Sequence, residues 1–449
     1  MCTRKEDHVE NVVLKYGQGT VSLDLDGARS VQYLRENLMK KIEDIEAEFL
    51  RCITTGTIGS KPLKELVDSG DLLTIIISDV TRLWMRQDIL CTLLVRYLHE
   101  EVGVPFDQMV VLVALGTHRH SSPEELKKLA GEYTHSRVRV LDHDCDAPDL
   151  VYLGTTEMGS EVWVNPLAVG RKIICIGGTV HHIMAGYGGG RKSVIPGVAG
   201  RETIRQNHQR ALDPTLPMTA ATVGSGMVPN NPIHEDMSQA AKLLHVTFGI
   251  NVVVNTVSEH SGLFCGDFDQ AWMASCRYVQ QCYGLPIEKE ADVVIASCGG
   301  FPKDMNLYQS TKTLFNAVRA VKPGGTLILL AECPEGGGAA DFFAWNTPLQ
   351  EGRLDQALRK DFTIGGYIFY AACESLRRAD TLLLSKIDPD QVRAMGIRAY
   401  SELSELMTQV DFHEKDVYVI PYGGSVMPQC GDDYNTMCGH LSDTRAAEA

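Results

Sequence analysis

Residues 172–208 read Lys172-Ile-Ile-Cys-Ile-Gly-Gly-Thr-Val-His181-His182-Ile-Met-Ala-Gly186-Tyr-Gly-Gly-Gly190-Arg-Lys192-Ser-Val-Ile-Pro-Gly197, and run on through Gly200 and Ile204 to Asn207-His208. The short apolar run from Lys172 to Ile176 does not alternate, so it reads as a strand covered on both faces. It feeds a histidine pair, a glycine cluster, a lysine and a helix-like segment that begins near Gly200 and carries another histidine. Gly186, Gly188, Gly189 and Gly190 remove side chains where backbone must approach a ligand closely. Their bare N–H groups beside Arg191 and Lys192 suit a phosphate. A Walker A loop requires a second glycine five positions after the first, and five positions on from Gly186 stands Arg191. The dinucleotide fingerprint fails at the same place, where its third glycine would be Arg191. The composition is that of a phosphate loop without either spacing, and His181-His182 and His208 point to metal or proton-transfer chemistry.

Two earlier runs repeat this design. Leu73-Thr-Ile-Ile-Ile-Ser78 leads into Asp79-Val80-Thr81-Arg82, and Met109-Val-Val-Leu-Val-Ala114 leads into Gly116-Thr117-His118-Arg119. Between them Asp88–Glu101 has apolar residues at Ile89, Leu93, Leu94 and Leu98, which predicts a helix. After the second cluster, Ser122-Pro123-Glu124-Glu125 combines an N-cap, a proline at the first helical position and a capping-box glutamate. Strand, loop, helix, strand is the pattern of a parallel sheet, in which ligands bind outside the carboxyl ends of the strands. Three polar clusters at three such ends converge on one crevice, and that convergence is the argument for an active site.

Outward from this core, residues 10–25 alternate around Tyr16-Gly17-Gln18-Gly19 and predict a hairpin, and residues 30–56 predict a helix. Residues 213–262 carry Pro214, Pro217, Pro229 and Pro232 before a strand at Ile250–Val254. A second α/β unit begins near Ala291, with strands at Asp292–Ser297 and Thr326–Ala331 around a helix at Leu307–Val321. A last strand at Asp416–Pro421 precedes a glycine-rich tail read as unstructured. The expected architecture is α/β: two α/β domains with mainly parallel sheets and an active-site cleft between them. Residues 1–275 hold the cofactor-binding motifs, and residues 276–449 close over the site.

The 449 residues carry a net charge of −15, which argues against nucleic acid as a partner. No 18-residue apolar run exists to span a membrane. The polar, acidic start is not a signal peptide. The 13 cysteines are scattered and never spaced Cys-x-x-Cys, as expected of a reducing cytoplasm.

Arg82 and Lys312 are cations that can orient a carboxylate, Arg82 bidentately. His118 and His182 each follow a strand and can move a proton at neutral pH. His208 alone is not a metal site, and the neighbouring sequence offers no further ligands at metal spacing.

The ordered set Asp79-x-Thr81-Arg82, Gly116-Thr117-His118-Arg119, His182-x-x-Ala185-Gly186-Tyr187-x-Gly189-Gly190-x-Lys192 with Pro196-Gly197, Asn207-His208, Tyr308-Gln309-x-x-Lys312 and Ala331-Glu332-Cys333-x-Glu335-Gly336 resembles the nickel-dependent lactate racemase family. The resemblance covers nearly the whole chain. It implies two α/β domains around a nickel pincer nucleotide, pyridinium-3-thioamide-5-thiocarboxylic acid mononucleotide. By this resemblance Lys192 would hold that cofactor through a thioamide, and His208 would be the sole protein ligand to Ni. His118 and His182 would be the acid–base residues, one for each hand of the substrate. Arg82, with Tyr308, Gln309 and Lys312, would bind a small 2-hydroxy acid substrate. Asp79, Thr81, Gly186, Gly189 and Gly190 would line the cofactor's phosphate and ribose. Cofactor-biosynthesis proteins would be the loading partners. The family's activity, inversion of C2 of a lactate-like 2-hydroxy acid by hydride transfer, is the expectation. A phosphate-loop nucleotide-dependent enzyme and a non-catalytic nickel-cofactor carrier are the alternatives. One departure concerns the substrate pocket: where the lactate enzyme has a tryptophan late in its second domain, this chain has Gly365-Gly366-Tyr367-Ile368-Phe369-Tyr370.

Overall fold

The computed structural model describes residues 11–338 and 341–442, divided into two compact units. The unit that carries the motif loops comprises residues 39–214, 220–280 and 440–442. Its six-stranded sheet has the order His260–Gly266, Phe248–Val254, Lys172–Gly178, Leu73–Ser78, Met109–Ala114, Arg139–Asp142. All neighbours are parallel except the edge strand His260–Gly266, which returns antiparallel. Ile75, Ile77, Val111, Val113, Ile174 and Ile176 are fully buried, and one cluster joins them to Leu90, Leu94 and Leu98 of the helix Gln87–Glu100. Each such side chain contributes about 1.5–3 kcal/mol on burial, so a non-alternating strand is stable only with both faces covered. The predicted capping box is present: Ser122 Oγ accepts from Glu125 N at 3.2 Å, and Glu125 Oε2 accepts from Ser122 N at 2.8 Å, starting the helix Pro123–Ala130.

The second unit has a six-stranded, all-parallel sheet in the order Ile397–Tyr400, Asp380–Leu384, Val321–Leu330, Ala291–Ser297, Asp416–Ile420, Ser30–Tyr33. The last of these corrects the sequence reading of a helix over residues 30–56. Val31 pairs with Val417 and Tyr33 with Val419, and Asp416 accepts from Ser30 Oγ at 2.7 Å and from Arg29 Nε at 2.9 Å. Only Ile45–Ile53 is helical, started by Asp44, whose carboxylate accepts from Ala47 N at 2.9 Å. Because of this pairing, residues 11–38 pack with residues 281–439, whereas a division at residue 275 leaves them with the motif loops.

Two further segments differ from expectation. The proline-bearing stretch contains a helix, Pro232–Leu244, capped by Asn231 with Pro232 at its first position. The tail read as unstructured forms a strand, Met427–Cys430, parallel to Gly284–Ile287, followed by a helix, Asp433–Ser442. Among the described residues all cysteines are free thiols, most of them buried, and no helix is long and apolar enough to cross a membrane.

Candidate active site

In the first unit the three polar loops leave the same edge of the sheet. Ser78 pairs with Ala114, and Ile76 pairs with Cys175 on the other side. Buried Gln87 clamps the exit of the first strand, accepting from Ser78 N at 3.0 Å and donating to Ser78 O at 2.7 Å. Asp79 then caps the turn Val80–Met85: its Oδ1 accepts from Thr81 N at 3.2 Å and Thr81 Oγ1 at 2.6 Å. Its Oδ2 meets His118 Nδ1 from the second loop. Burial raises the Asp79 carboxyl, but the hydrogen bond and charge of His118 and the hydrogen bond from Thr81 outweigh it, so the group sits below its ordinary value. An ionised Asp79 places the His118 proton on Nδ1 and the lone pair on Nε2, the state of a general base. Asp79, assigned by resemblance to the cofactor, thus orients His118 in this structure. Arg119 turns away to Glu125 at 2.7 Å.

The third loop explains its own glycines. Gly186 has φ +74°, and a Cβ there would lie 2.2 Å from Met227 O; at Gly190 it would lie 2.6 Å from the Trp272 ring. Trp272 Nε1 donates to Gly188 O at 2.8 Å. Arg191, which the sequence groups with Lys192, is instead buried beneath the loop, its guanidinium 3.3 Å from the Trp272 ring centroid. Lys192 is half-buried. Burial first, then Arg82 and Arg191, push its ammonium down to about 7, and no carboxylate offsets them. Arg82 donates from Nη1 to Thr81 Oγ1 at 2.9 Å and makes no ion pair among the described residues.

His208 ends the helix Arg201–His208 and is buried. Its Nδ1 donates to Ile204 O at 3.0 Å, which leaves the Nε2 lone pair. Burial, then the charge of Lys192, push the imidazole down to about 3, so it is neutral at every physiological pH. Its neighbour Asn207 donates to Asp236 Oδ2 at 2.8 Å and Ile233 O at 3.1 Å. Fully buried Asp236 also accepts from Thr156 Oγ1 at 2.6 Å and Ser160 Oγ at 2.8 Å. His182 lies on a two-residue ribbon paired with Gly186, and its Nδ1 accepts from Met184 N and Ala185 N, each at 3.2 Å. His181 tilts against Tyr187 with ring centroids 5.1 Å apart.

The described residues fit the cofactor that the resemblance implies. A lysine whose amine is substantially neutral near pH 7 can be acylated, and a neutral, buried imidazole held at Nδ1 can offer Nε2 to a metal. The charge of Lys192 acts on His208, so the two belong to one cluster.

Within the second unit, Asn306 caps the helix Leu307–Ala317 by accepting from Gln309 N at 3.0 Å. Lys312 Nζ donates to Gln309 Oε1 at 2.6 Å, and Tyr308 packs edge-on against Phe342 at 6.2 Å. Tyr308 and Lys312 are four apart and share a helix face. The 365–370 segment has no tryptophan of its own, but Trp345 rests on it: a Cβ on Gly366 would lie 2.4 Å from the indole. Sequence reading missed Trp345, Gln87, Asn231 and Asp236; only Asn231 left a signal, a cap before a proline.

Comparison with known proteins agrees with this picture. The family described as "Lactate racemase N-terminal domain" matches residues 16–218, and that described as "Lactate racemase C-terminal domain" matches residues 287–427. The chain is 31% identical to a lactate racemase of Thermoanaerobacterium thermosaccharolyticum over 340 residues, 75% of this chain and 77% of that protein. It is 30% identical to a lactate racemase of Lactiplantibacillus plantarum over 381 residues, 82% of this chain and 88% of that protein. The solved structure of the Thermoanaerobacterium lactate racemase apoprotein superposes with a TM-score of 0.81 at 26% identity, covering 93% of this chain and 100% of that one.

Proposed function

The chain belongs to the lactate racemase family, and on that premise we propose that it is a nickel-dependent racemase or epimerase inverting C2 of a small 2-hydroxy acid. The observation that carries the reading is the cluster of Asp79-oriented His118, a lysine held near neutrality and a histidine held neutral beside it. In this reading Lys192 holds the nickel pincer nucleotide and His208 offers Nε2 to nickel. When bound, that group supplies the metal and a ring carbon able to accept and return the C2 hydrogen with its electron pair. The protein's own part is to bind, orient and move protons. His118 takes the hydroxyl proton through Nε2 while Asp79 balances the imidazolium, and His182 serves the opposite hand. Arg82 binds the substrate carboxylate, and Gln309 and Lys312 are assigned to the carboxylate and hydroxyl region with Tyr308. Thr81, Gly186, Gly189 and Gly190 are assigned to the nucleotide. Loading is assigned to separate proteins that make the cofactor, and the location to the cytoplasm.

The reading is tested on protein made in a host that synthesises the cofactor, by chiral analysis of lactate and other 2-hydroxy acids. Wild-type protein is expected to interconvert the two hands of at least one such acid. Arg82→Lys keeps the charge but loses the bidentate fork, a loss of roughly 1.5–3 kcal/mol or about 10- to 150-fold in kcat/KM, with cofactor retained. Loss of cofactor in that variant would move Arg82 to the phosphate. Magnesium-dependent nucleotide turnover without racemisation would overturn the reading.

A further inference from the structure

We infer that Asp236 is a positioning residue for His208, fixing the direction in which that histidine presents its Nε2 lone pair; the inference rests on the metal-ligand reading of His208 given above. The ring is oriented by the last turn of the helix Arg201–His208, where His208 Nδ1 donates to Ile204 O at 3.0 Å. That helix has 8 residues, and short helices fray at their ends unless contacts from outside hold them. One side of it is tied to the strand Glu161–Val164: Thr203 Oγ1 donates to Glu161 O at 2.7 Å and accepts from Trp163 N at 3.0 Å, and Gln206 Oε1 accepts from Glu161 N at 2.8 Å. The residues that flank His208 are held by Asp236.

Asp236 lies on the helix Pro232–Leu244 and is fully buried. Its Oδ2 accepts at 2.8 Å from Nδ2 of Asn207, immediately before His208, and lies 3.5 Å from Nε of Arg210, two residues after it. One carboxylate oxygen thus grips the chain on both sides of the histidine. The carboxylate is itself fixed, because Ser160 Oγ donates to Oδ2 at 2.8 Å and Thr156 Oγ1 donates to Oδ1 at 2.6 Å. Both hydroxyls sit in one tight turn, in which Ser160 N donates to Thr156 Oγ1 at 3.0 Å and Thr156 N donates to Ser160 O at 2.9 Å. The Asn207 amide has one orientation: its Nδ2 also donates to Ile233 O at 3.1 Å, and the flipped group would set its oxygen against two acceptors. A carboxylate buried this deeply is costly unless donors surround it, so the groups it holds are fixed with it. Asp236→Asn keeps the size but turns one acceptor oxygen into a donor and removes the charge that faces Arg210.

Asp236→Asn and Asn207→Ser test this, the first at the carboxylate and the second at its contact with the helix; Asn207→Ser carries the test if the substitution at 236 prevents folding. In histidine-labelled apoprotein, nitrogen-correlated imidazole spectra report the state of the ring, with His208→Gln identifying the signal. Wild type is expected to show a single Nδ1–H form at His208. Both variants are expected to lose that single form, as the ring of a frayed turn samples both tautomers. In loaded protein the Lys192 adduct mass should be unchanged, while nickel, measured by competition with a chelator, is held about 10- to 100-fold more weakly. A lowered melting temperature with the His208 spectrum and nickel affinity of wild type would make the network merely structural and overturn the inference. Unchanged spectra and affinity in both variants would overturn it as well. Protein that takes up no nickel and inverts no 2-hydroxy acid, but whose His208 form still depends on Asp236, would overturn the proposed function and support this inference.

Discussion

Lys192→Ala is expected to remove the covalent mass increment from protein made in a cofactor-producing host, and to reduce racemisation to the limit of detection. The expectation follows from the state of the amine. Burial and the cations Arg82 and Arg191 hold the ammonium down to about 7, so a large fraction of Lys192 is a free nucleophile at neutral pH. An ordinary lysine, at about 10.4, is almost wholly protonated there. Apoprotein treated with a limiting acylating reagent should therefore be labelled first at Lys192, with a rate that rises through about pH 7 and levels off above it. Peptide mapping reads that order directly. An adduct of unchanged mass on Lys192→Ala would place the attachment on another residue.

The second large effect is expected at His208. Its Nδ1 is committed to Ile204 O, and its ring stays neutral down to about pH 3, so Nε2 is a permanent lone pair beside Lys192. Loss of a supporting contact around a metal ligand typically costs about 10- to 100-fold in affinity, and loss of a sole protein ligand should exceed that. His208→Ala is therefore expected to leave nickel well below stoichiometric after dialysis, with turnover lost. The Lys192 adduct should persist, which separates metal retention from covalent attachment. Full nickel and full activity in His208→Ala would remove His208 from the metal.

The parts of this site that were legible in the sequence are those fixed by local chemistry. Three non-alternating apolar runs, Leu73–Ser78, Met109–Ala114 and Lys172–Ile176, read as strands covered on both faces, and parallel strands place their carboxyl ends together. The capping box at Ser122 is likewise a local device. What could not be read were contacts made across the chain. Asp79 and His118 are 39 residues apart, and nothing in either loop announces that the carboxylate orients the imidazole. The short edge strand Ser30–Tyr33 was misread as helix because its strand character comes from Asp416–Ile420, far along the chain. The helix Pro232–Leu244 was hidden in a proline-bearing stretch, although Asn231-Pro232 is a favourable helix start. Asp236 and Asn231, which hold Asn207 and Met184, became visible only with that helix in place.

The central claim concerns the hydrogen on C2. Removal of that hydrogen as a proton would hand it to a residue in exchange with water, so a C2-deuterated substrate would lose its label during inversion. In the proposed function His118 and His182 handle only the hydroxyl proton, and the C2 hydrogen leaves and returns with its electron pair, at no point exchangeable with solvent. The decisive measurement is racemisation of a C2-deuterated 2-hydroxy acid in ordinary water, followed by mass analysis of the separated enantiomers. The account predicts that the inverted product keeps its deuterium; washout of the label into solvent would contradict it.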